Sequence, residues 1–212
     1  VCCAGSRILV QEGIAPRFFD RLRARMQTLR VGGPLDKCTD VGAVVSAGQL
    51  ARIRALLERG KAEGGALHSA PVNLPAQGNF CAPGFFLGAG PASSVAQEEI
   101  FGPVAVAMTF RTPDEAVALA NDTRYGLAAS VWTETIGKAI EVASRVRAGV
   151  VWINATNLFD AGAAFGGMRE SGFGREGGRE GLREYLATPG ARGDVRKARP
   201  VAWDPAPGPV IA

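Results

Sequence analysis

Apolar residues become regularly spaced along this chain only from residue 104 onward. Before that point the pattern comes in separate pieces. RILVQ (7–11) is a short apolar run with strand character. Pro16 suits the first turn of a helix, where its missing N–H costs nothing. Behind it, RFFDRLRARMQTL places Phe18, Leu22, Met26 and Leu29 at helical spacing. VGGPLDKCTDVG then breaks the pattern as a loop. AGQLARIRALLERGKAEGG reads as a second amphipathic helix, with Leu50, Ile53, Leu56 and Leu57 on one face and Gly64–Gly65 ending it. The stretch 65–95 is rich in Gly, Pro, Ala and Ser and is expected to be mostly loop with short extended pieces.

The regular part starts with VAVAMTF (104–110), which has the continuous apolar character of a buried strand. Thr112, Pro113 and Glu115 spell a capping box with proline at the first helical position, opening DEAVALAN. LAASVWT (127–133) is the next strand. IGKAIEVASRVRAG follows as a helix with Ile136, Ile140, Ala143 and Val146 inward and Gly149 past its end. VVWIN (150–154) is a third strand. Strand, helix, strand, helix, strand predicts right-handed crossovers and a parallel sheet covered by helices. Ligands of such sheets bind outside the carboxyl ends of the strands, which puts Asn154 and the loop after it where a site is expected. GGMRESGFGREGGREGLREYL (166–186) is a glycine-rich loop running into a short helix. Residues 188–212 form a Pro-rich tail or linker with an Arg/Lys run. There is no internal repeat.

Composition narrows the function classes. The 212 residues suffice for one good-sized domain, and 47% apolar against 21% charged is an ordinary globular balance. The net charge of +4 comes from interleaved signs rather than one basic face, which favours solubility over nucleic-acid binding. No apolar run is long enough to span a bilayer, and no secretory signal is visible. Cys2, Cys3, Cys38 and Cys81 match neither a zinc pattern nor a disulfide framework. His68, the single histidine, is expected in a surface loop, so no metal site is expected. Free thiols suit a reducing compartment, so the cytoplasm is the expected location.

Three stretches could carry chemistry. In VCCAGSR, Cys2 could act as a thiolate nucleophile, with Ala4 and Gly5 small enough to let backbone approach a substrate. Composition alone favours the plainer view of Cys2 and Cys3 as small buried apolar groups. In QEEIFGP (97–103) a carboxylate could accept both hydroxyls of a ribose and the aromatic could pack on a planar ring. Taken alone, a solvated acidic turn is the better account. WINATNLFDAGAAFGGMRESGFGRE (152–176) sets Phe159 and Phe165 in the loop after a strand. There they line an apolar pocket or plug the core, with equal weight.

Together, in this order and at these separations, the three stretches resemble the aldehyde dehydrogenase superfamily over residues 1–187. VCCAGSR resembles that family's Gly-Gln-x-Cys-x-Ala motif from the variable position onward, with the Gly-Gln lying upstream of Val1. EEIFGP resembles its cofactor segment and FGG..ESG.GRE its closing signature. The resemblance implies an α/β fold: a parallel-sheet, three-layer α/β/α catalytic domain of aldehyde dehydrogenase type, lacking the N-terminal Rossmann-type cofactor domain. The chain is then expected to be the carboxy-terminal half of a larger enzyme, with residues 1–187 as the catalytic domain. By the same resemblance Cys2 is the nucleophile and Glu99 holds the nicotinamide ribose. Phe101 packs near the nicotinamide, Cys3, Phe159 and Phe165 line the aldehyde pocket, and Glu176 belongs to a proton relay. The cofactor is NAD or NADP, and the substrate is a small-molecule aldehyde oxidised to a carboxylic acid through a thiohemiacetal and a thioester on Cys2. The backbone N–H of Cys2 is the local oxyanion donor.

The resemblance also has gaps. The family's general-base glutamate and oxyanion asparagine precede the cysteine and have no counterpart here. The chain alone is therefore expected not to oxidise aldehydes. Ala164 stands where many relatives have proline. The tail lacks the strand with which many members pair subunits, though the resemblance allows a homo-oligomer for the full-length protein. The ending resembles relatives that carry two such modules in one polypeptide. Two alternatives stay open: an acylating member that passes the thioester to coenzyme A, and a catalytically silent scaffold module.

Overall fold

In the computed structural model, which describes residues 1–186, the apolar run VAVAMTF is strand β4 (Val104–Phe110), flanked on both edges by other strands. Its Val104, Val106, Ala107 and Met108 are buried, as expected of a strand covered on both faces. β1 (Arg7–Gln11) pairs in parallel along one edge, from Arg7↔Val106 to Gln11↔Phe110. β3 (Gly84–Leu87) pairs in parallel along the other, and β2 (Ala66–Ser69) closes the sheet antiparallel to β3, giving the order β1-β4-β3-β2.

Two helices cover this sheet, and adjacent phenylalanines show why both faces need covering. Side chains alternate along a strand, so Phe85 and Phe86 point to opposite faces, each almost inaccessible to solvent. Phe86 joins α2 (Ala47–Ala62) in one core with Leu50, Ile53, Leu56, Leu57, Val95, Ile100 and Val106. The α2 face is the one the sequence predicts, and Ser46 caps the helix by accepting Gln49 N–H at 3.1 Å. Phe85 joins α1 (Ala15–Met26) in a second core with Val10, Phe19, Met26 and Ala107. Here the expected inward face is corrected. Phe18 is exposed and Phe19 is buried, stacked on Phe85 with ring centroids 6.0 Å apart. The helix starts at Ala15, so its inward stripe runs Ala15, Phe19, Leu22, Met26, and Phe18 lies one step round from it. His68 is also corrected. It sits in β2 opposite Phe85, half-buried, with its ring stacked 5.3 Å from that phenylalanine.

The rest of the chain departs from the expected single sheet. After the short α3 (Ser94–Gln97) and β4 come α4 (Pro113–Asn121), β5 (Ala128–Val131), α5 (Ile136–Arg145) and β6 (Val150–Ile153). β5 and β6 pair in parallel, but as a separate two-stranded sheet. β1 and β3 already fill both edges of β4, so β5 has no place beside it. Only half of the capping box forms as expected. Thr112 Oγ1 accepts Glu115 N–H, while the Glu115 carboxylate accepts from Arg111 N–H rather than from Thr112. In α5 the expected inward residues Ile136 and Ile140 are 66% and 58% exposed, and Ala139 is the fully buried one. The helix lays its small residue on its neighbours and leaves the large ones outside.

A turn at Arg169–Ser171 and α6 (Gly178–Arg183) complete the described chain. The expected tail at 188–212 lies outside the described residues. Among them, no helix is long and apolar enough to cross a membrane.

Candidate active site

The parallel register of β1 and β4 decides where the chemistry-bearing turns meet. Ser6 O accepts Val106 N–H at 2.8 Å, so the segment before β1 and the segment before β4 arrive at the same end of the sheet. Cys2 and Cys3 lie in the first segment, and Glu99 and Phe101 in the second. That end is the amino end of the strands. The general rule for open α/β sheets points to the carboxyl ends, and it holds here only for the loop that follows β6.

Residues 1–4 form a turn closed by Ala4 N–H donating to Val1 O at 3.2 Å. It leaves Cys2 exposed and Cys3 buried. Burial, with Cys2 beside it, pushes the Cys3 thiol above its ordinary range. Cys3 Sγ–H donates to Asn157 Oδ1 at 3.0 Å, tying this turn to the loop beyond β6.

The 98–102 turn is strapped to α2. Gln49 Nε2 donates to Ile100 O and Phe101 O, both at 3.2 Å, and Arg52 donates to Glu99 O at 2.8 Å. Arg59 holds the Glu98 carboxylate at 3.1 Å, with Arg52 at 3.9 Å. The two adjacent carboxylates are thereby divided. Glu98 is structural, and the exposed Glu99 carboxylate has no hydrogen-bond or ion-pair partner among the described residues. Phe101 has a left-handed backbone at φ 52° and a half-exposed ring. That conformation costs a bulky residue about 1–2 kcal/mol.

The loop after β6 carries the aromatics. Asn154 clasps Thr133 through two side-chain bonds of 2.9 Å each. Trp152 Nε1–H donates to Leu158 O at 2.9 Å. Phe159 meets Trp152 edge-on at 5.8 Å and Phe165 edge-on at 5.0 Å. Glu176 is brought beside Phe165 by its backbone, through reciprocal bonds of 2.7 and 2.8 Å, with its side chain exposed. Among the described residues, those other than glycine at positive φ are Phe101, Asn154, Asn157 and Arg169, and the first three belong to this region. Strained backbone concentrates at functional sites.

The structure thus joins Cys3 to the loop beyond β6, Phe159 to Phe165, and Phe165 to Glu176. It gives Glu176 no side-chain hydrogen bond to Cys2 or Cys3 among the described residues. A surface cleft of about 550 Å³, lined among others by Glu115, Asp122, Arg147 and Arg169, includes none of the sequence-predicted site residues. It holds no thiol and no aromatic ring, so the exposed Cys2 turn and the aromatic loop are the better candidate. No group of three His, Cys, Asp or Glu side chains among the described residues gathers as a metal site. Sequence reasoning missed Asn157, Gln49, Arg52 and Arg59. The last three share a signal, because their spacing along α2 sets them on the side facing the 98–102 turn. Asn157 offers only its residue type, since asparagine tolerates positive φ.

The aldehyde dehydrogenase family model matches residues 1–189. Among curated proteins, an aldehyde dehydrogenase of Agaricus bisporus is 41% identical over 184 residues, covering 87% of this chain and 37% of the relative. A betaine aldehyde dehydrogenase of Rhizobium leguminosarum is 40% identical over 188 residues, covering 87% and 39%. A crystal structure of betaine aldehyde dehydrogenase from Staphylococcus aureus in complex with NAD+ superposes with a TM-score of 0.83 at 39% identity, covering 88% of this chain and 38% of that one. The chain therefore spans under two-fifths of the length of these relatives.

Proposed function

The chain belongs to the aldehyde dehydrogenase family, and from that premise we propose that residues 1–187 are the catalytic half of an NAD(P)-dependent enzyme that oxidises an aldehyde to a carboxylic acid. Cys2 is the nucleophile. Its exposure in a tight turn leaves the sulfur free to attack a carbonyl carbon and form a thiohemiacetal. The Cys2 backbone N–H is the local donor to the developing oxyanion. A nicotinamide cofactor held by Glu99 and Phe101 would supply the hydride acceptor, so that Cys2 carries a thioester which water releases as the acid, returning the thiol. Phe159, Phe165 and Cys3 line the aldehyde pocket. Glu176 belongs to the path by which the released proton leaves.

The residues present fit a nicotinamide cofactor on this side of the site. The Glu99 carboxylate is uncommitted and can accept both hydroxyls of a ribose, and the half-exposed Phe101 ring offers a face to a planar ring. The observation that carries the reading is the parallel β1–β4 register, which delivers the Cys2 turn and the Glu99–Phe101 turn to one end of one sheet. Curated relatives named betaine aldehyde dehydrogenase put that quaternary ammonium aldehyde on the list of substrates to try, and aromatic rings suit such a cation. We further propose that this chain alone is inactive and that catalysis needs the remaining length seen in the relatives.

The test is NAD(P)H formation by the full-length protein, wild type against Cys2→Ala, over aliphatic, aromatic and betaine aldehydes with each cofactor. Removing the nucleophile should lower turnover by about 10³-fold or more. Turnover that survives in Cys2→Ala would overturn the assignment. Turnover by this chain in isolation would overturn the claim that it is inactive alone.

A further inference from the structure

The two adjacent cysteines sit in opposite environments, and one side chain accounts for the division. Cys2 is exposed, whereas Cys3 is 8% exposed and donates its S–H to Asn157 Oδ1 at 3.0 Å. This is the only side-chain hydrogen bond among the described residues that links the segment before β1 to the loop beyond β6. Asn157 holds a left-handed backbone at φ 54°, which asparagine tolerates better than most residues. The loop that carries it is braced on both sides, by Asn154 on Thr133 before it and by Trp152 on Leu158 O just after it. The amide oxygen is therefore presented by a fixed support.

We infer that Asn157 is a positioning residue, which accepts the Cys3 S–H, holds Cys3 as a neutral buried thiol and thereby fixes the turn that presents Cys2. The inference rests on the reading of Cys2 as the nucleophile. An amide oxygen aimed at sulfur opposes a thiolate there, because it places the negative end of a dipole against the developing charge. Burial acts in the same direction. The two neighbouring thiols are then set apart by position, since Cys2 faces outward from the turn and Cys3 is buried with its S–H engaged. The same bond draws the loop bearing Phe159 toward the nucleophile turn, so Asn157 also sets where the aromatic pocket begins.

The test is alkylation of the full chain by iodoacetamide from about pH 6 to about pH 10, a span that brackets the ordinary thiol range. Cys2 and Cys3 are read separately by peptide mass spectrometry. In Asn157→Ala, Cys3 should label about 10-fold faster near neutral pH, with its midpoint moved down toward an ordinary thiol. In Asn157→Asp the carboxylate should move that midpoint up instead. Cys3→Ser keeps a donor for Asn157 and should leave Cys2 labelling as in the wild type, whereas Cys3→Ala should slow it. Should Asn157→Ala fail to fold by circular dichroism, the Cys3→Ser and Cys3→Ala pair reads the same bond. An unchanged Cys3 rate and midpoint in a folded Asn157→Ala, or equal Cys2 rates in Cys3→Ser and Cys3→Ala, would overturn the inference. A Cys2 that labels no faster than in the urea-unfolded chain, while Cys3 still responds to Asn157, would instead sink the nucleophile reading and leave the Cys3–Asn157 bond standing.

Discussion

The part of the chain built on β1 to β4 and the part built on β5 and β6 are held together by different means. In the first, side chains do the packing. Phe85, Phe86, Ile53, Leu56 and Val106 are fully enclosed, and they form two cores on opposite faces of one sheet. In the second, β5 is nowhere fully buried, and backbone packs on backbone. Gly149 N–H donates to Gly126 O at 3.0 Å, and a methyl group on Gly149 would overlap the carbonyl of Gly166. Gly166 in turn has no room for a methyl beside the carbonyl of Gly174. A side-chain core loses stability in proportion to the apolar volume removed. A backbone contact fails when a single methyl is added. The candidate active site straddles the two, taking its nucleophile turn from the first and its aromatic loop from the second.

The largest effect should come from hollowing the first part. Phe86→Ala removes a ring with no solvent exposure, and it should cost about 3–5 kcal/mol by denaturant unfolding. Loss of under about 1 kcal/mol would mean that the two parts are not held so differently. Next comes the second part's own weak point. Gly149→Ala should cost about 3 kcal/mol, the upper end for overpacking, because both clashing groups are backbone. Its damage should be local. Hydrogen exchange should quicken in β6 and the 154–168 loop while α2 and β4 keep their protection. Equal acceleration in both parts would break the comparison. A third, smaller effect separates polar from apolar support. Trp152→Phe keeps a ring against Phe159 but strands the Leu158 carbonyl, and should cost about 1–2 kcal/mol. A neutral result would mean that the loop does not depend on that bond.

The same contrast explains what could be read from the sequence. β1 and β4 fall where the apolar runs place them, and the inward face of α2 is the predicted one, because side-chain cores leave a periodic trace. Phe18 was misplaced because the trace fixes a helix's period more firmly than the residue at which it starts. The division into two sheets left no trace at all, since periodicity does not say which edge a strand will pair with. The backbone contacts of the second part register only as a high glycine content. As for the site, Cys2, Glu99, Phe101, Phe159, Phe165 and Glu176 were singled out by family resemblance. The residues alone left each of the three stretches balanced or favouring a plainer account. Asn157 was invisible because its bond spans 154 positions, and nothing in a single sequence ties two such distant residues together.

The smallest effect is expected where the pattern most strongly promised a core. Ile136 and Ile140 lie one turn apart on α5, and amphipathic spacing assigns both to the interior. In the structure each keeps more than half of its surface, while Ala139 between them is fully buried. An exposed isoleucine has little apolar area left to lose, so replacing either with serine in this chain should change stability by under about 0.5 kcal/mol. The only penalty left is the slight difference in helix propensity, and isoleucine and serine differ little in that. The matching control is Ala139→Ser, which sets a hydroxyl in a fully enclosed position and should cost about 1–3 kcal/mol. If thermal unfolding instead finds both isoleucines costing about 1.5 kcal/mol or more and Ala139→Ser costing nothing, the helix is turned the other way. The second part would then have a side-chain core after all, and the contrast with the first would vanish.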